Sequence, residues 1–256
     1  MIDPRAIIDP SAKIGDNVAI GPWTLIGADV EIGDNTSVSS HVVIKGPTRI
    51  GAHNRIFQFA TVGEDTPDLK YKGEPTRLLI GDHNVIREGV TIHRGTVQDR
   101  GETTIGSHNL LMAYVHIGHD CAIGDHTILV NNASLAGHVS VGDWVILSGY
   151  VLVHQYVSIG AHAFAGAGTF LSQDLPTYVM AMGSPASART INSEGLKRRD
   201  FTKEQIAVIN RAYKVIYRRG LKLEEAIAEL DALESPGDVV KPLADFLRNS
   251  RRGIVR

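Results

Sequence analysis

The sequence has little from which a covalent or metal framework could be made. A single cysteine, Cys121, stands among 256 residues, which excludes an internal disulfide framework and any multi-cysteine zinc centre. Metal binding would fall to the 11 histidines. Neither terminus carries an apolar run long enough to span a bilayer, and Met1–Arg5 lacks the charged start and apolar middle of a signal peptide. The expectation is a cytoplasmic protein with no membrane span. Net charge is only −2, too little of either sign to suggest a nucleic-acid partner. That charge is uneven: residues 195–256 hold 14 Lys/Arg against 9 Asp/Glu, so a basic tail follows an acidic body and suggests docking of something anionic.

What the sequence does have is a period. An aliphatic residue recurs every sixth position from Ile2 through Ile8, Ile14 and Ile20 to Val62, and again from Ile105 through Ile117 and Leu135 to Ile159. A helix cannot produce this, because six residues turn its face by about 600° and leave successive aliphatics roughly 120° apart. The position two before each aliphatic is mostly small or β-branched, as at Val18, Thr24, Val115 and Cys121. Alternation points both positions inward on a short strand. Gly, Asp, Asn or His fill the rest, and Gly and Asn accept positive φ, so each hexad reads as a strand and a corner. Three hexads close a triangular coil of 18 residues, stacked on the next at about 4.8 Å.

Two stretches break the rhythm. Residues 63–79 read as an external loop carrying Asp68, Lys70 and Tyr71, and residues 93–104 contain one residue too many. Solenoid insertions map to the outside and often to the binding face. Past Ser184-Pro185-Ala186 the pattern turns helical. Thr202-Lys203-Glu204-Gln205 forms a capping box opening a helix that ends near Gly220, and further helices are expected at 223–233 and 238–249. The chain is therefore expected to divide into a solenoid over 1–190 and a small helical domain over 191–256.

In an 18-residue coil, residue n+18 lies over residue n. Gly137 then stacks on His119, His138 on Asp120, Ser134 on His116 and Gln155 on Gly137. A histidine base beside a side-chain-free amide donor suits acyl transfer. Asp120 can orient His119 or pair with His138 one coil away. His116 faces outward and could bind substrate. Cys121 points inward and reads as structural, and His53, His83, His108, His126 and His162 occupy corner positions and read as turn residues.

The hexads resemble the left-handed parallel β-helix of the hexapeptide-repeat acyltransferases. Local motifs are similar to the acyl-(acyl-carrier-protein)–UDP-N-acetylglucosamine O-acyltransferases of lipid A synthesis: Asp68-Leu69-Lys70-Tyr71, Thr91-Ile92-His93-Arg94-Gly95-Thr96, His116-Ile117-Gly118-His119-Asp120, Leu135-Ala136-Gly137-His138, Val153-His154-Gln155, and Asn192 with Glu194 to Arg199. The resemblance implies a homotrimer with clefts between solenoids. In it His119 is the base for the glucosamine 3-hydroxyl and Gly137 N–H the oxyanion donor. Asp68, Lys70, His116, His138, His154 and Gln155 line the sugar and acyl site, and Asn192, Glu194 and Arg198 hold the uridine diphosphate. The donor is a 4′-phosphopantetheine thioester on acyl carrier protein, with no resident cofactor or metal. Ala167 stands where family members limit acyl depth, so a medium-length 3-hydroxyacyl chain is expected.

Other readings are weighed beside this one. The N-acyltransferase acting later in the same pathway normally has a uridine-binding domain before its solenoid, and hexads starting at Ile2 leave no room for one. A zinc hydratase on the same solenoid would use His116, His119 and His138 as ligands. A non-catalytic scaffold is the third.

Overall fold

The computed structural model describes residues 1–256. From Ile7 to Leu171 the chain winds through short strands joined by tight corners. Corresponding strands of successive coils pair in parallel and build three sheets of nine, eight and ten strands. The first sheet runs from Ile7–Ile8 to Phe170–Leu171 and the second from Lys13–Ile14 to Ser158–Ile159. The third runs from Ala19–Ile20 to Phe164–Ala165 and then adds Val179–Met182 and Ser187–Ile191. The architecture is a left-handed parallel β-helix followed by a small helical region.

Register follows the hexads. Ile26 pairs with Ile44, Ile117 with Leu135 and Leu135 with Val153, all fully or nearly fully buried on the axis. Each such side chain contributes about 1.5–3 kcal/mol relative to exposure, and a slip of one residue would turn them all outward. Three inner positions hold asparagine rather than a small or β-branched residue. Asn54, Asn84 and Asn109 are buried, and each side-chain oxygen accepts the N–H of the residue above it, at 2.8, 2.9 and 2.7 Å. The amide nitrogens of Asn54 and Asn84 also donate to backbone carbonyls, at 2.9 Å to Gly81 and 2.9 Å to Gly106, whereas that of Asn109 has no partner.

The corners differ from expectation in one respect. The left-handed residue is the third after each aliphatic, and it is as often aromatic as small: Asn35 has φ 57°, but so do Trp23 at 61°, Phe59 at 64° and Trp144 at 62°. The anticipated turn histidines sit in this place, and His53, His83, His108 and His126 form a column with ring centroids 4.7–4.8 Å apart. Stacking offsets the roughly 1–2 kcal/mol that a left-handed residue costs. The glycine that directly follows many aliphatics serves close approach instead. A Cβ on Gly33 would lie 2.6–2.8 Å from the backbone of Gly51 and Ala52. The next residue is frequently Asp, whose carboxylate caps a backbone N–H of the preceding coil. Asp34 accepts from Asp16 at 2.7 Å, Asp82 from Ala52 at 2.7 Å, and Asp143 from Asp125 at 2.8 Å.

Residues after Ala186 do not begin a helix. Ser187–Ile191 runs antiparallel to Val179–Met182 and covers the edge of the third sheet. Four helices follow: α1 Ser193–Lys197, not anticipated, then α2 Lys203–Arg218, α3 Leu223–Asp231 and α4 Lys241–Asn249. Thr202 and Gln205 make the reciprocal capping box at the start of α2. None of the helices is long and apolar enough to cross a membrane. The chain end returns to the last coil, where Asp174 takes the Ser250 hydroxyl at 2.7 Å and Val255 N–H donates to the Asp174 carbonyl at 2.9 Å. Because the atoms facing Gly33 are backbone and cannot swing aside, Gly33→Ala is expected to lower stability by about 1–3 kcal/mol. Urea unfolding would show it, and an unchanged midpoint would refute the close-approach account.

Candidate active site

Both interruptions leave the solenoid at one corner. Residues 65–76 and 94–101 each connect a strand of the first sheet to one of the second, and His119, Gly137, His138 and His154 lie at that same junction. The site is built where two loops overhang consecutive coils.

Its centre is the neighbouring pair His119 and Asp120. Asp120 is the left-handed corner residue, φ 58°, and this turn swings its carboxylate against the ring before it, with Nδ1 to Oδ2 at 2.8 Å. The carboxylate is buried and takes two further donors from the second loop, the Thr96 N–H at 2.9 Å and the Thr96 hydroxyl at 2.7 Å. Burial pushes the Asp120 carboxyl up, but the hydrogen bonds from His119 and Thr96 outweigh it and hold the group below its ordinary value. An ionised Asp120 can only accept, so His119 Nδ1 is the donor in this bond and Nε2 faces away from the carboxylate.

Register alone made a pair of Asp120 with His138 at least as attractive, and His138 lies close to Asp120 without hydrogen-bonding to it. Its Nδ1 lies 2.6 Å from Asp99 Oδ2 and 3.8 Å from Asp120 Oδ2. Asp99 comes from the loop, outside the reach of coil counting. The His138 ring stands perpendicular to that of His119 with centroids 4.8 Å apart, and Tyr156 stacks on it at 4.2 Å.

Gly137 lies against the His119 ring. A Cβ there would sit 2.6 Å from both Cε1 and Nε2, so no other residue leaves the imidazole where it is. At the equivalent hexad position on the corner between the second and third sheets, the N–H groups of Asp16, Ala52, Ser107 and Asp125 are capped by an aspartate from the next coil. Above Gly137 the next coil offers Gln155 instead, and the Gly137 N–H finds no acceptor in the chain. An open backbone donor therefore sits beside a fixed imidazole.

The other expected residues fall into three places. His116 projects from the first sheet with Nδ1 2.8 Å from Thr91 Oγ1. Burial, with His93 beside it, keeps its ring below the ordinary imidazole value and hence neutral. His154 shares the corner, its Nδ1 3.1 Å from the Gln155 carbonyl. Asp68 and Lys70 lie on the first loop, where Asp68 Oδ1 accepts the Lys70 N–H at 3.0 Å, and neither hydrogen-bonds to the histidines. Asn192, Glu194 and Arg198 gather on α1, beside His162 at the corner between the second and third sheets. There Asn192 is buried, caps α1 by accepting from Gly195 N–H at 3.1 Å, and donates to the His162 carbonyl at 3.0 Å. Glu194 pairs with Lys197 at 2.7 Å, while the exposed Arg198 guanidinium has no partner in the chain. Ala167 is exposed at the third corner, between the third and first sheets. Cys121 faces inward, and burial pushes its thiol up to about 12, which suits a structural role.

The three-histidine zinc set is not assembled. The ligand atoms that come within 4.8 Å of one another belong to His119, Asp120 and His138, without His116. Thr96 and Asp99 are the residues that sequence reasoning missed. Their signals were the surplus residue between Ile92 and Ile105 and, for Thr96, its place at the end of the motif Thr91-Ile92-His93-Arg94-Gly95-Thr96.

Comparison with known proteins bears on the same regions. The bacterial transferase hexapeptide model (six repeats) matches residues 11–46 and 102–137, and the model for UDP N-acetylglucosamine O-acyltransferase, domain 2, matches 174–255. An acyl-(acyl-carrier-protein)–UDP-N-acetylglucosamine O-acyltransferase of Pseudomonas putida is 65% identical over 255 residues, covering 100% of this chain and 99% of its own. One from Stutzerimonas stutzeri is 63% identical over 256 residues with the same coverage. The solved UDP-N-acetylglucosamine O-acyltransferase of Moraxella catarrhalis superposes with a TM-score of 0.97 at 47% identity, over 100% of this chain and 99% of that one.

Asp120 gives the pair a pH signature. Its folded value is depressed, so its stabilising contribution is whole above an unfolded value of about 4 and is lost as pH falls through the folded one. The stability gap between wild type and Asp120→Asn is expected to narrow on acidification from about pH 6 to about pH 3, measured by urea unfolding. A gap that stays constant would contradict an Asp120 carboxylate held ionised by His119 and Thr96.

Proposed function

Since the chain belongs to the acyl-(acyl-carrier-protein)–UDP-N-acetylglucosamine O-acyltransferase family, we propose that it moves a 3-hydroxyacyl chain from acyl carrier protein to the 3-hydroxyl of UDP-N-acetylglucosamine, the first step of lipid A biosynthesis. The observation that carries this reading is the open Gly137 N–H beside a His119 ring fixed by Asp120.

In the proposed reaction His119 Nε2 removes the proton from the sugar 3-hydroxyl as that oxygen attacks the thioester carbonyl carbon. The charge arriving on the carbonyl oxygen is met by the Gly137 N–H, and the imidazolium formed is stabilised by Asp120. Collapse of the tetrahedral intermediate breaks the carbon–sulfur bond. The phosphopantetheine sulfur leaves and takes the proton from His119, which returns the base to its starting state. No resident cofactor enters this scheme.

The proposed binding roles follow from placement. Asp68, Lys70, His116, His138, His154 and Gln155 surround the base or lie on the loop beside it and are assigned to the sugar and acyl groups. Asn192, Glu194 and Arg198 are assigned to the nucleotide, with the unpaired Arg198 fork suited to the diphosphate. These sets and Ala167 occupy three different corners of one solenoid. A substrate touching all three sets has to lie between neighbouring chains, which supports a homotrimer with clefts between its members. The solenoid over 1–190 would carry the chemistry, and the basic region over 191–256 would dock the acidic carrier protein in the cytoplasm.

His119→Ala is expected to lose about 10²–10⁴ in turnover while melting as the wild type does. Mass analysis of the product from UDP-N-acetylglucosamine and a mixed acyl-carrier-protein pool reads this directly, and ordinary turnover in the variant would remove His119 as the base. The same assay is expected to show a medium-length 3-hydroxyacyl product. Preference for the longest chain would contradict the role given to Ala167.

A further inference from the structure

The motif His93-Arg94-Gly95-Thr96 is not used by the chemistry above, yet it holds both halves of the site. Arg94 is a buried charged side chain, 6% exposed, with its fork turned onto the first loop. Nη1 donates to the Gly63 carbonyl at 2.5 Å, and Nη2 donates to the Asp65 carboxylate and, at 3.0 Å, to the Tyr71 hydroxyl. His93 adds a bond from Nδ1 to the Asp65 carbonyl at 2.7 Å. Within 65–76 the other hydrogen bonds are local, such as Tyr71 N–H to the Asp68 carbonyl at 2.9 Å and Lys72 N–H to Glu74 at 2.7 Å. Every hydrogen bond that this loop accepts from elsewhere in the chain comes from His93 or Arg94.

Two residues further on, Thr96 grips Asp120. Gly95 between them allows no side chain, since a Cβ would lie 2.2 Å from the backbone nitrogen of Glu102. A rigid four-residue segment thus ties the loop bearing Asp68 and Lys70 to the carboxylate that orients the base. We infer that Arg94 is a positioning residue, which sets the distance of the sugar-binding loop from His119 without touching substrate. This rests on the proposed reaction for its substrate, but the clamp itself is geometric. The fork is essential to it, because a lysine keeps the charge and cannot reach Gly63, Asp65 and Tyr71 together.

The experiment uses the full chain and the variants Arg94→Met and Arg94→Lys. Both are expected to melt within a few degrees of wild type. Both are expected to raise KM for UDP-N-acetylglucosamine about tenfold or more, and to leave KM for the acyl-carrier-protein donor and kcat within about threefold. Because the effect passes through Lys70, Lys70→Ala should cost much less in an Arg94→Met background than in the wild type. Trypsin cleavage after Lys70 or Lys72 should be about tenfold faster in both variants. Multiplicative effects of Lys70→Ala and Arg94→Met, a loss confined to kcat, or an unchanged trypsin rate would each overturn the inference. Wild-type protein inactive toward this sugar nucleotide would sink the proposed reaction instead, and the trypsin comparison would still judge the clamp.

Discussion

Parallel pairing of each coil with the next is the constraint on which everything else in this structure depends. It fixes a residue's neighbours before any side chain is considered, since Ile117 must lie over Ile92 and under Leu135. Burial of the axial aliphatics enforces that register, because a shift by one position would exchange core for solvent along the whole stack. The corner chemistry then inherits its geometry. His119 meets Gly137 because the backbone has no choice about which residues are one coil apart.

The corners also differ from one another in how their backbone N–H groups are met. A tight corner leaves a backbone N–H without an intracoil partner, and along the corner between the second and third sheets an aspartate of the next coil caps it. An unmet donor in a partly buried setting costs stability. The corner between the first and second sheets has no such aspartate caps, so the Gly137 N–H stays open, and there Asp120 is turned to an imidazole and a loop threonine.

Much of the fold was legible because a six-residue aliphatic period cannot be satisfied by a helix and has few other solutions. The register pairs that matter, His116 with Ser134 and His119 with Gly137, follow from counting. Gly89 and Gly168 do adopt positive φ, but the glycines directly after the aliphatics were read for the wrong property, since sequence cannot separate a residue chosen for positive φ from one chosen to let another backbone pass. Asp120 could not be assigned from register because its left-handed turn, not its height in the stack, selects His119. Thr96, Asp99 and Arg94 stand in or beside an aperiodic loop, and their partners 24, 39 and 29 residues away are visible only in three dimensions. Ser187–Ile191 escaped notice because it pairs antiparallel, outside the hexad rhythm.

Two loops of different length interrupt consecutive coils, yet Thr61 and Val62 still pair with Thr91 and Ile92, and these with His116 and Ile117. The stack is indifferent to how much chain wanders off between two rungs, provided that it comes back in phase. This edge is therefore a natural graft point. Descendants of one ancestor can lengthen, trade or rewrite what overhangs the imidazole and so drift toward new acceptors, while the rungs that aim it stay untouched.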